Sequence, residues 1–327
     1  MLAILLSLSL CAQQAWAGQG GTRQLIPMGR AVGIKLFADG VLVVATSDLN
    51  TGKHSPAENC GLKEGDLILR INDEEIRSTE QFQSVLQESG ETPVTLTVRR
   101  GSKTSEVETG AVLCSDGIYR LGLWIRDSMA GIGTLTFYDP ETGSYGALGH
   151  GITDVDTHVL MPLSAGSIME TSVRAVKKGQ RGEPGELKGD FSVQRDVGIV
   201  SANTAAGIFG TVSDDGFAGD AQPIPVAEAE EVHLGEATIL CTVSGDCTES
   251  YRVEIVRLCP EKQDMRNLLL RVTDQRLLDT TGGIVQGMSG SPIIQDGKFV
   301  GAVTHVLVND PTQGYGILME NMLKMAG

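Results

Sequence analysis

Beyond about residue 120, the chain is a succession of short strand-like segments separated by glycines, without a strong 3.6-residue period. Its 327 residues include 41 glycines, which suits many tight turns. Brief apolar segments joined by turns are typical of a β-barrel or a β-sandwich. Because a chain of this length can bury more than one core, we predict a mainly β fold with two domains.

The charge balance limits the class of partner. The sequence has 26 Lys and Arg against 41 Asp and Glu, which gives a formal net charge of −15. Its few basic pairs do not extend into a patch. Since phosphate backbones are bound by clustered Lys and Arg, we expect no nucleic-acid partner. There is also no Cys-x-x-Cys motif, and we expect neither a metal site nor a cofactor.

The chain has six cysteines, one of which, Cys11, lies in the N-terminal apolar segment. The other five are an odd number, so they cannot all pair within one chain. Cys241 and Cys247 flank a short turn and could close a hairpin disulfide in an oxidising compartment. The alternative is scattered buried thiols, and the sequence does not choose between them.

The first residues are typical of an exported protein. Residues 2–12 are apolar apart from serines and precede Ala15-Trp16-Ala17, an A-x-A cleavage pattern. We expect residues 1–17 to be a signal sequence or an N-terminal membrane anchor, with a frayed apolar start as the alternative. Residues 18–27 are expected to be a linker. Export across the cytoplasmic membrane follows, with membrane association if the leader is retained.

A small α+β unit is predicted over residues 28–103. Its signature is Ser55-Pro56-Ala57-Glu58-Asn59-Cys60-Gly61-Leu62-Lys63-Glu64-Gly65-Asp66-Leu67-Ile68. In this segment Ser55 is expected to cap a short helix with Pro56 at its first position. Residues 79–88 then have the period of an amphipathic helix. This order of elements resembles a PDZ domain.

The PDZ resemblance implies a groove in which a peptide is added as a strand and its terminal carboxylate is held by backbone N–H groups. The residues implied are Val32, Gly33 and Ile34 for the carboxylate, and Val85 and Leu86 for the last side chain. The alternative is a groove that is closed or that holds an internal segment. Residues 104–120 are expected to connect this unit to the domain at 121–327.

The motif Gly287-Met288-Ser289-Gly290-Ser291-Pro292 precedes an apolar run. A serine held between glycines is typical of a loop that presents a nucleophilic hydroxyl, because glycines let the backbone turn and direct two N–H groups at one point. Those donors would be the N–H groups of Gly287 and Ser289, forming an oxyanion hole. The alternative is an ordinary turn between strands, and Ser291 is the rival nucleophile.

A serine nucleophile needs a base, and the base needs an orienting group. His150 stands between two glycines at the end of a predicted strand, which suits an exposed base. The other histidines fit loops, an acidic segment or a strand interior; they are His54, His158, His233 and His305. Spacing alone leaves four carboxylates as the orienting acid, namely Asp127, Asp154, Asp156 and Asp274.

Several segments together resemble the stage IV sporulation protein B peptidase family. They are Arg120-Leu121-Gly122-Leu123-Trp124-Ile125-Arg126-Asp127, Gly131-Ile132-Gly133-Thr134-Leu135-Thr136, Leu148-Gly149-His150-Gly151-Ile152, Thr281-Gly282-Gly283-Ile284-Val285-Gln286-Gly287-Met288-Ser289-Gly290-Ser291-Pro292 and Gly301-Ala302-Val303-Thr304-His305-Val306. The resemblance implies a PDZ domain followed by a trypsin-like double β-barrel. It also implies that Ser289 is the nucleophile, His150 the general base and Asp274 the orienting acid.

What the resemblance implies about function is specific. Such proteins are self-cleaving serine endopeptidases that act between the two membranes around a developing forespore. They cut a membrane-anchored regulator of an intramembrane protease, which activates the late mother-cell sigma factor. We carry two alternatives, a broad periplasmic-type PDZ protease and a PDZ scaffold with an inactive barrel.

Overall fold

The computed structural model of the protein describes residues 23–49, 52, 54–212, 217–260 and 265–326. The expected leader at 1–17 lies outside these residues, as does the expected linker up to residue 22. None of the helices in the described ranges is long and apolar enough to cross a membrane.

The described residues form mostly strands. In chain order the strands are β1 Gln24–Pro27, β2 Ala31–Thr46, β3 Leu67–Ile71, β4 Glu74–Glu75, β5 Val94–Arg100, β6 Lys103–Thr109, β7 Val112–Leu113, β8 Tyr119–Arg120, β9 Leu123–Asp139, β10 Ser144–Ala147, β11 Ala165–Lys177, β12 Glu186–Thr204, β13 Gly207–Val212, β14 Ile224–Pro225, β15 Gly235–Ser244, β16 Cys247–Leu258, β17 Leu268–Val272, β18 Pro292–Gln295, β19 Lys298–Val306 and β20 Gln313–Leu318. The helices are α1 Pro56–Asn59, α2 Thr79–Ser89, α3 Gln275–Thr281 and α4 Met319–Lys324, with one 3-10 turn at Ala229–Glu231.

Antiparallel strands close a first barrel in the order β2-β9-β10-β13-β12-β11, because β11 pairs back with β2. Alternate residues of a barrel strand point inward. Along β2 these are Val32, Ile34 and Leu36, which are buried in the core of this barrel. Leu135 of β9 and Ile208 of β13 belong to the same core.

A second closed barrel follows, in the order β15-β16-β17-β20-β19-β18. Its core includes Ile239, Leu270 and Ile293, and the same cluster contains Ala31 and Val173 of the first barrel. The two barrels therefore pack against each other. The predicted fold class is confirmed: a mainly β protein with a small α+β PDZ unit and a double β-barrel.

The cysteines at the tip of the β15–β16 hairpin are not paired. Cys241 lies opposite Glu249 and is buried, whereas Cys247 lies opposite Ser244 and is exposed. All five described cysteines are free thiols. Of the two alternatives left open by the sequence, the structure has unpaired thiols.

The PDZ unit includes the C-terminal part of β2 and the N-terminal part of β9, two strands that also belong to the first barrel. β2 and β9 continue past the barrel and pair again over 42–46 and 123–126, beyond a bulge in β2 at 38–41. β3, β5 and β6 extend this sheet. The unit has its own core, which includes Val43, Ile68, Phe82, Leu86 and Leu96. Barrel and PDZ unit therefore share two continuous strands.

The shared strands change the expected domain boundaries. Residues 31–37, expected in the PDZ unit, pair within the first barrel. The expected connector at 104–120 contains most of β6, which pairs along the whole of β5. The PDZ unit also takes in 121–125, which we expected to begin the peptidase domain.

The peptide-binding role expected of Val32, Gly33 and Ile34 is wrong in this structure. These residues pair with β9 on one side and with β11 on the other, so they offer no free strand edge to a peptide. The chain does not reverse after residue 37 but runs on through the bulge. Gly40 permits this course, since it has φ +131° and an added Cβ would lie 2.4 Å from the Ile68 carbonyl oxygen.

Candidate active site

The loop between α3 and β18 presents Ser289 and hides Ser291. Met288 donates its N–H to Val285 O at 3.1 Å, and Ser291 donates its N–H to Met288 O at 3.0 Å, which makes a tight double turn. The Met288 side chain is fully buried in the second barrel. Ser291 is also fully buried, and its Oγ donates to Met288 O at 2.7 Å. Ser289 is half-buried and lines a cleft, so of the two serines it is the one that a substrate could reach.

Two N–H groups of this loop remain available as oxyanion donors. Met288 donates its N–H to Val285 O within the loop, and Gly290 donates its N–H to Val303 O of β19 at 2.7 Å. In the described part of the chain, the N–H groups of Gly287 and Ser289 have no such acceptor. Gly287 has φ +98° and Gly290 has φ +97°, a conformation that favours glycine. The alternation leaves the pair expected from the sequence free for a developing oxyanion.

Thr134 of β9 ties this loop to the first barrel. Its N–H donates to Ser289 O at 3.0 Å and its Oγ1 donates to Gly287 O at 2.8 Å. The neighbouring Leu148 in turn donates its N–H to Thr134 O at 3.2 Å. Thr134 thus holds the serine loop beside the hairpin that leads to His150. Nothing in the local sequence pattern singled it out, because these contacts join distant segments.

His150 follows the β9–β10 hairpin after two residues with positive φ, Leu148 and Gly149. Its Nδ1 lies 2.9 Å from Gly151 O. Since a carbonyl only accepts hydrogen bonds, Nδ1 carries the proton and Nε2 has the lone pair of a base. Burial lowers the pKa of His150 below 6.5, and the hydrogen bond to Gly151 O opposes this shift. The imidazole is therefore held neutral, as a general base requires.

His150 and Ser289 lie in one cleft, as predicted. The cleft has a volume of about 290 Å³. Most of its other lining residues are apolar, among them Ile34, Met129, Ile132, Leu148 and Ile152, and Thr153 and Gln286 add polar groups. In the structure Ser289 Oγ donates to Thr304 O at 2.6 Å, and the centroid of the His305 ring lies 4.7 Å from that of His150, with the two rings tilted by 35°. Among the described residues, no hydrogen bond joins the Ser289 hydroxyl to His150. The hydroxyl would have to turn from Thr304 O towards Nε2 of His150 before the histidine could take its proton.

The contact predicted between Asp274 and His150 is not present in the structure. Asp274 caps α3 by accepting from Arg276 N at 3.0 Å, and it also accepts from Arg252 N and the Arg276 guanidinium. The hydrogen bond from Arg276 lowers the pKa of Asp274 to about 2. His150 instead has Gly151 O at Nδ1. The role expected of Asp274 is corrected to that of a helix cap.

The other candidate acids also have different partners. Asp127 accepts from Thr79 N at 2.8 Å, at the start of α2. Asp154 is fully buried and pairs with Arg126, whose guanidinium also reaches Asp156 at 3.3 Å. None of them contacts His150 among the described residues.

We expect Asp274→Asn to retain cleavage within about tenfold of wild type, because an asparagine still caps α3. If Asp274 oriented the base, the amide would lower kcat by about 10⁴-fold. Asp274→Ala removes the cap and should cost about 1 kcal/mol of unfolding free energy. Denaturation curves and peptide-hydrolysis rates of wild type, Asp274→Asn and Asp274→Ala distinguish a helix cap from an orienting acid.

We expect kcat/KM to remain high to a lower pH than an ordinary histidine would allow. The base must be neutral, and its activity is lost as pH falls through its folded pKa, which burial lowers. The acid limb should therefore have its midpoint below about 6.5. Circular dichroism over the same pH range controls for acid unfolding. A midpoint above that value in folded protein contradicts the assignment.

The groove of the PDZ unit lies along the start of β9 and not along residues 32–34 of β2. A cavity of about 400 Å³ lies between α2 and residues 121–125. Leu86 lines it, as predicted, together with Phe82; Val85 packs in the PDZ core but does not line the cavity. Gly122 has φ +72°, and an added Cβ would lie 2.4 Å from Ser47 O. An apolar-Gly-apolar triplet before a strand was the sequence signal for this loop.

Comparisons with known proteins match two families to the chain. The family described as SpoIVB peptidase S55 matches residues 117–323, more than half of the chain, and a PDZ domain family matches residues 50–100. The curated protein named "Probable protease eep" from Enterococcus faecalis is 36% identical over 67 residues, which are 19% of this chain and 16% of that protein.

Solved structures are similar at low sequence identity. The active form of the Rv3671c protease from M. tuberculosis is 15% identical, with 61% of this chain and 75% of that chain covered and a TM-score of 0.36. The PDZ domain of an SdrC-like protein from Listeria monocytogenes is 21% identical, with 27% of this chain and 87% of that chain covered and a TM-score of 0.23.

Proposed function

Because the chain belongs to the SpoIVB peptidase S55 family, we propose that it is a serine endopeptidase whose nucleophile is Ser289 and whose base is His150. The observation that carries this proposal is the cleft between the barrels, where a half-buried Ser289 and a neutral His150 lie beside two unbonded N–H groups.

The chemistry follows from those groups. Nε2 of His150 takes the Ser289 proton as Oγ attacks the peptide carbonyl. The N–H groups of Gly287 and Ser289 stabilise the tetrahedral oxyanion. His150 then returns the proton to the leaving amine, and water hydrolyses the acyl-enzyme by the reverse sequence. The Gly151 carbonyl holds the imidazole tautomer throughout, since it accepts from Nδ1.

The biological role that we propose is that of a sporulation signalling protease. It would cleave its own chain and a membrane-anchored regulator of an intramembrane protease, leading to activation of the late mother-cell sigma factor. Family membership and the N-terminal apolar segment support this role and an exported location between the forespore membranes. Its PDZ unit would bind a peptide of the substrate or of another copy of the chain.

Incubation of wild-type and Ser289→Ala protein, followed by N-terminal sequencing of the fragments, tests activity, nucleophile and self-cleavage together. Fragments formed only by the wild type support the endopeptidase. Covalent labelling by a fluorophosphonate at Ser289 excludes an inactive scaffold. Rapid digestion of unfolded casein at many sites favours a broad degradative protease over a signalling one.

A further inference from the structure

One edge of β9 is unpaired from the PDZ groove to the catalytic cleft. Over 123–134, β9 pairs with β2 on one side. On the opposite side, β9 pairs with β10 only from Leu135 onward. Just before that point, Thr134 is hydrogen-bonded to the Ser289 loop. Among the described residues nothing pairs with 123–133 on that side. An unpaired edge is a template for an added strand.

The hydrogen bonds show which residues face outward in the barrel half. Thr134 directs its N–H and C=O to Ser289 and Leu148, away from β2. Since backbone groups alternate along a strand, the outward residues before it are Ile132, Ala130 and Ser128. Ile132 and Ala130 line the cleft that contains Ser289.

The PDZ half offers outward groups on the same edge. Val43 uses its N–H and C=O in bonds with Asp66 and Gly65, away from β9, so its partner Ile125 also faces away from β2. Ser47 donates its N–H to Gly122 O, so Gly122 faces β2. The backbone groups of the next residue, Leu123, therefore point away from β2, as those of Ile125 do. The phase changes between Ile125 and Ser128, opposite the bulge in β2.

The edge ends at a site suited to a carboxylate. The N–H groups of Leu121 and Gly122 have no acceptor among the described residues. The N–H of Leu123, the next residue, points away from β2 and follows them in sequence. Arg120 lines the same groove, although it pairs with Asp116. A strand added antiparallel to β9 has its C-terminus at this loop. Its preceding residues run towards Ile132 and Ser289.

We propose that β9 is a ruler that places a substrate's free carboxyl end in the PDZ loop and its scissile bond at Ser289. This inference rests on the proposed endopeptidase function. Since facing strands pair residue for residue, a peptide matched from Leu123 to Ile132 spans about ten residues, or ~30 Å. The substrate class is an extended polypeptide tail with a free C-terminus, cut about that far from its end.

The distance between the PDZ groove and the cleft is fixed, because one element of each site is bonded to β9. Asp127 accepts from Thr79 N and holds the first turn of α2 against β9. Arg126, on the same strand, pairs with the buried Asp154 in the segment that follows His150. Asp154 also accepts from Thr157 N at 2.9 Å, which fixes that turn. Groove and cleft are therefore held at one spacing.

The test uses synthetic unstructured peptides with varied sequences, each long enough to reach from the carboxylate loop past Ser289. Each is made as a free acid and as a C-terminal amide, and cuts are located by mass spectrometry. We expect cuts in the acids about ten residues from the end. Two residues added at the C-terminus should move the cut by two residues. Amidation should lower kcat/KM about tenfold or more, mainly through KM, because it removes a charge-assisted set of hydrogen bonds.

Backbone N-methylation gives a second readout with an internal control. Between the cut and the C-terminus, methyl groups at alternate positions should weaken cleavage, whereas those at the intervening positions should not, because only every second N–H of an added strand faces β9. The alternation should change phase once, opposite the break between Ile125 and Ser128. Cuts that follow the local sequence regardless of the end, equally in acids and amides, overturn the ruler while leaving the endopeptidase intact.

Crosslinking tests the same geometry without catalysis. In Ser289→Ala protein, a photoreactive residue about ten positions from the free carboxyl end should label the region of Ile132 and Leu148. The same group next to the carboxyl end should label Phe82 or Leu86. Labelling of both regions from a single position contradicts the proposal. This arm separates failure of the ruler from failure of the peptidase chemistry.

Discussion

Replacing Ser289 with alanine should lower the rate of peptide cleavage by about 10⁴-fold or more, because residues that act as a nucleophile and base lose most of their effect together. Ser289 is the half-buried hydroxyl that shares the cleft with His150. The protein should remain folded, since among the described residues the hydroxyl makes a single hydrogen bond, to Thr304 O. Initial rates on a peptide substrate, with equal thermal stability, are the measurement.

Ser291→Ala is the matched control for this prediction. Ser291 is fully buried, and its Oγ donates to Met288 O within the same loop. Its loss should cost about 1 kcal/mol of unfolding free energy. Cleavage per folded molecule should stay within a few-fold of wild type. If the two variants exchange these outcomes, the nucleophile has been misassigned.

Local sequence patterns predicted the features that depend on neighbouring residues. Ser55 caps α1 by accepting from Glu58 N at 3.3 Å, with Pro56 at the first helical position. The glycines around Ser289 and the strand that ends before His150 are local in the same sense. Each is determined by backbone preferences within a few residues, so the sequence suffices to find it.

Features that depend on distant pairing were not predicted. The local sequence around Ile34 predicts a strand but not the neighbours of that strand. Ile34 pairs with Gly131 on one side and with Ile168 on the other, so no peptide can pair with it. The family resemblance implied Asp274 as the orienting acid, yet its carboxylate accepts hydrogen bonds from the Arg252 N–H and the Arg276 guanidinium. Such choices are made by tertiary contacts between segments far apart in the chain, for which a single sequence carries no direct signal.

The close approach of the two barrels at Gly290 explains why a glycine follows Ser289. An added Cβ would lie 2.1 Å from Thr134 O and 2.5 Å from Leu148 N. These are the two atoms of the hydrogen bond that joins β9 to the hairpin before His150. Both are backbone atoms, so neither can move aside as a flexible side chain would. A side chain here would separate the serine loop from the base.

Gly290→Ala should therefore lose about 3 kcal/mol or more of unfolding free energy, from overpacking together with a strained positive φ. It should also lower kcat/KM by about 100-fold or more, because a misplacement of about 1 Å costs that much in a positioned reaction. Gly297→Ala is the matched control: Gly297 has φ +76° in the β18–β19 turn, but an added Cβ meets nothing within 4 Å. That variant should carry only the strain of the positive φ, about 1–2 kcal/mol, with normal cleavage. Denaturation and peptide hydrolysis of both variants test the steric argument, and equal losses at the two glycines would show that φ strain alone, without the barrel contact, explains the requirement for glycine at position 290.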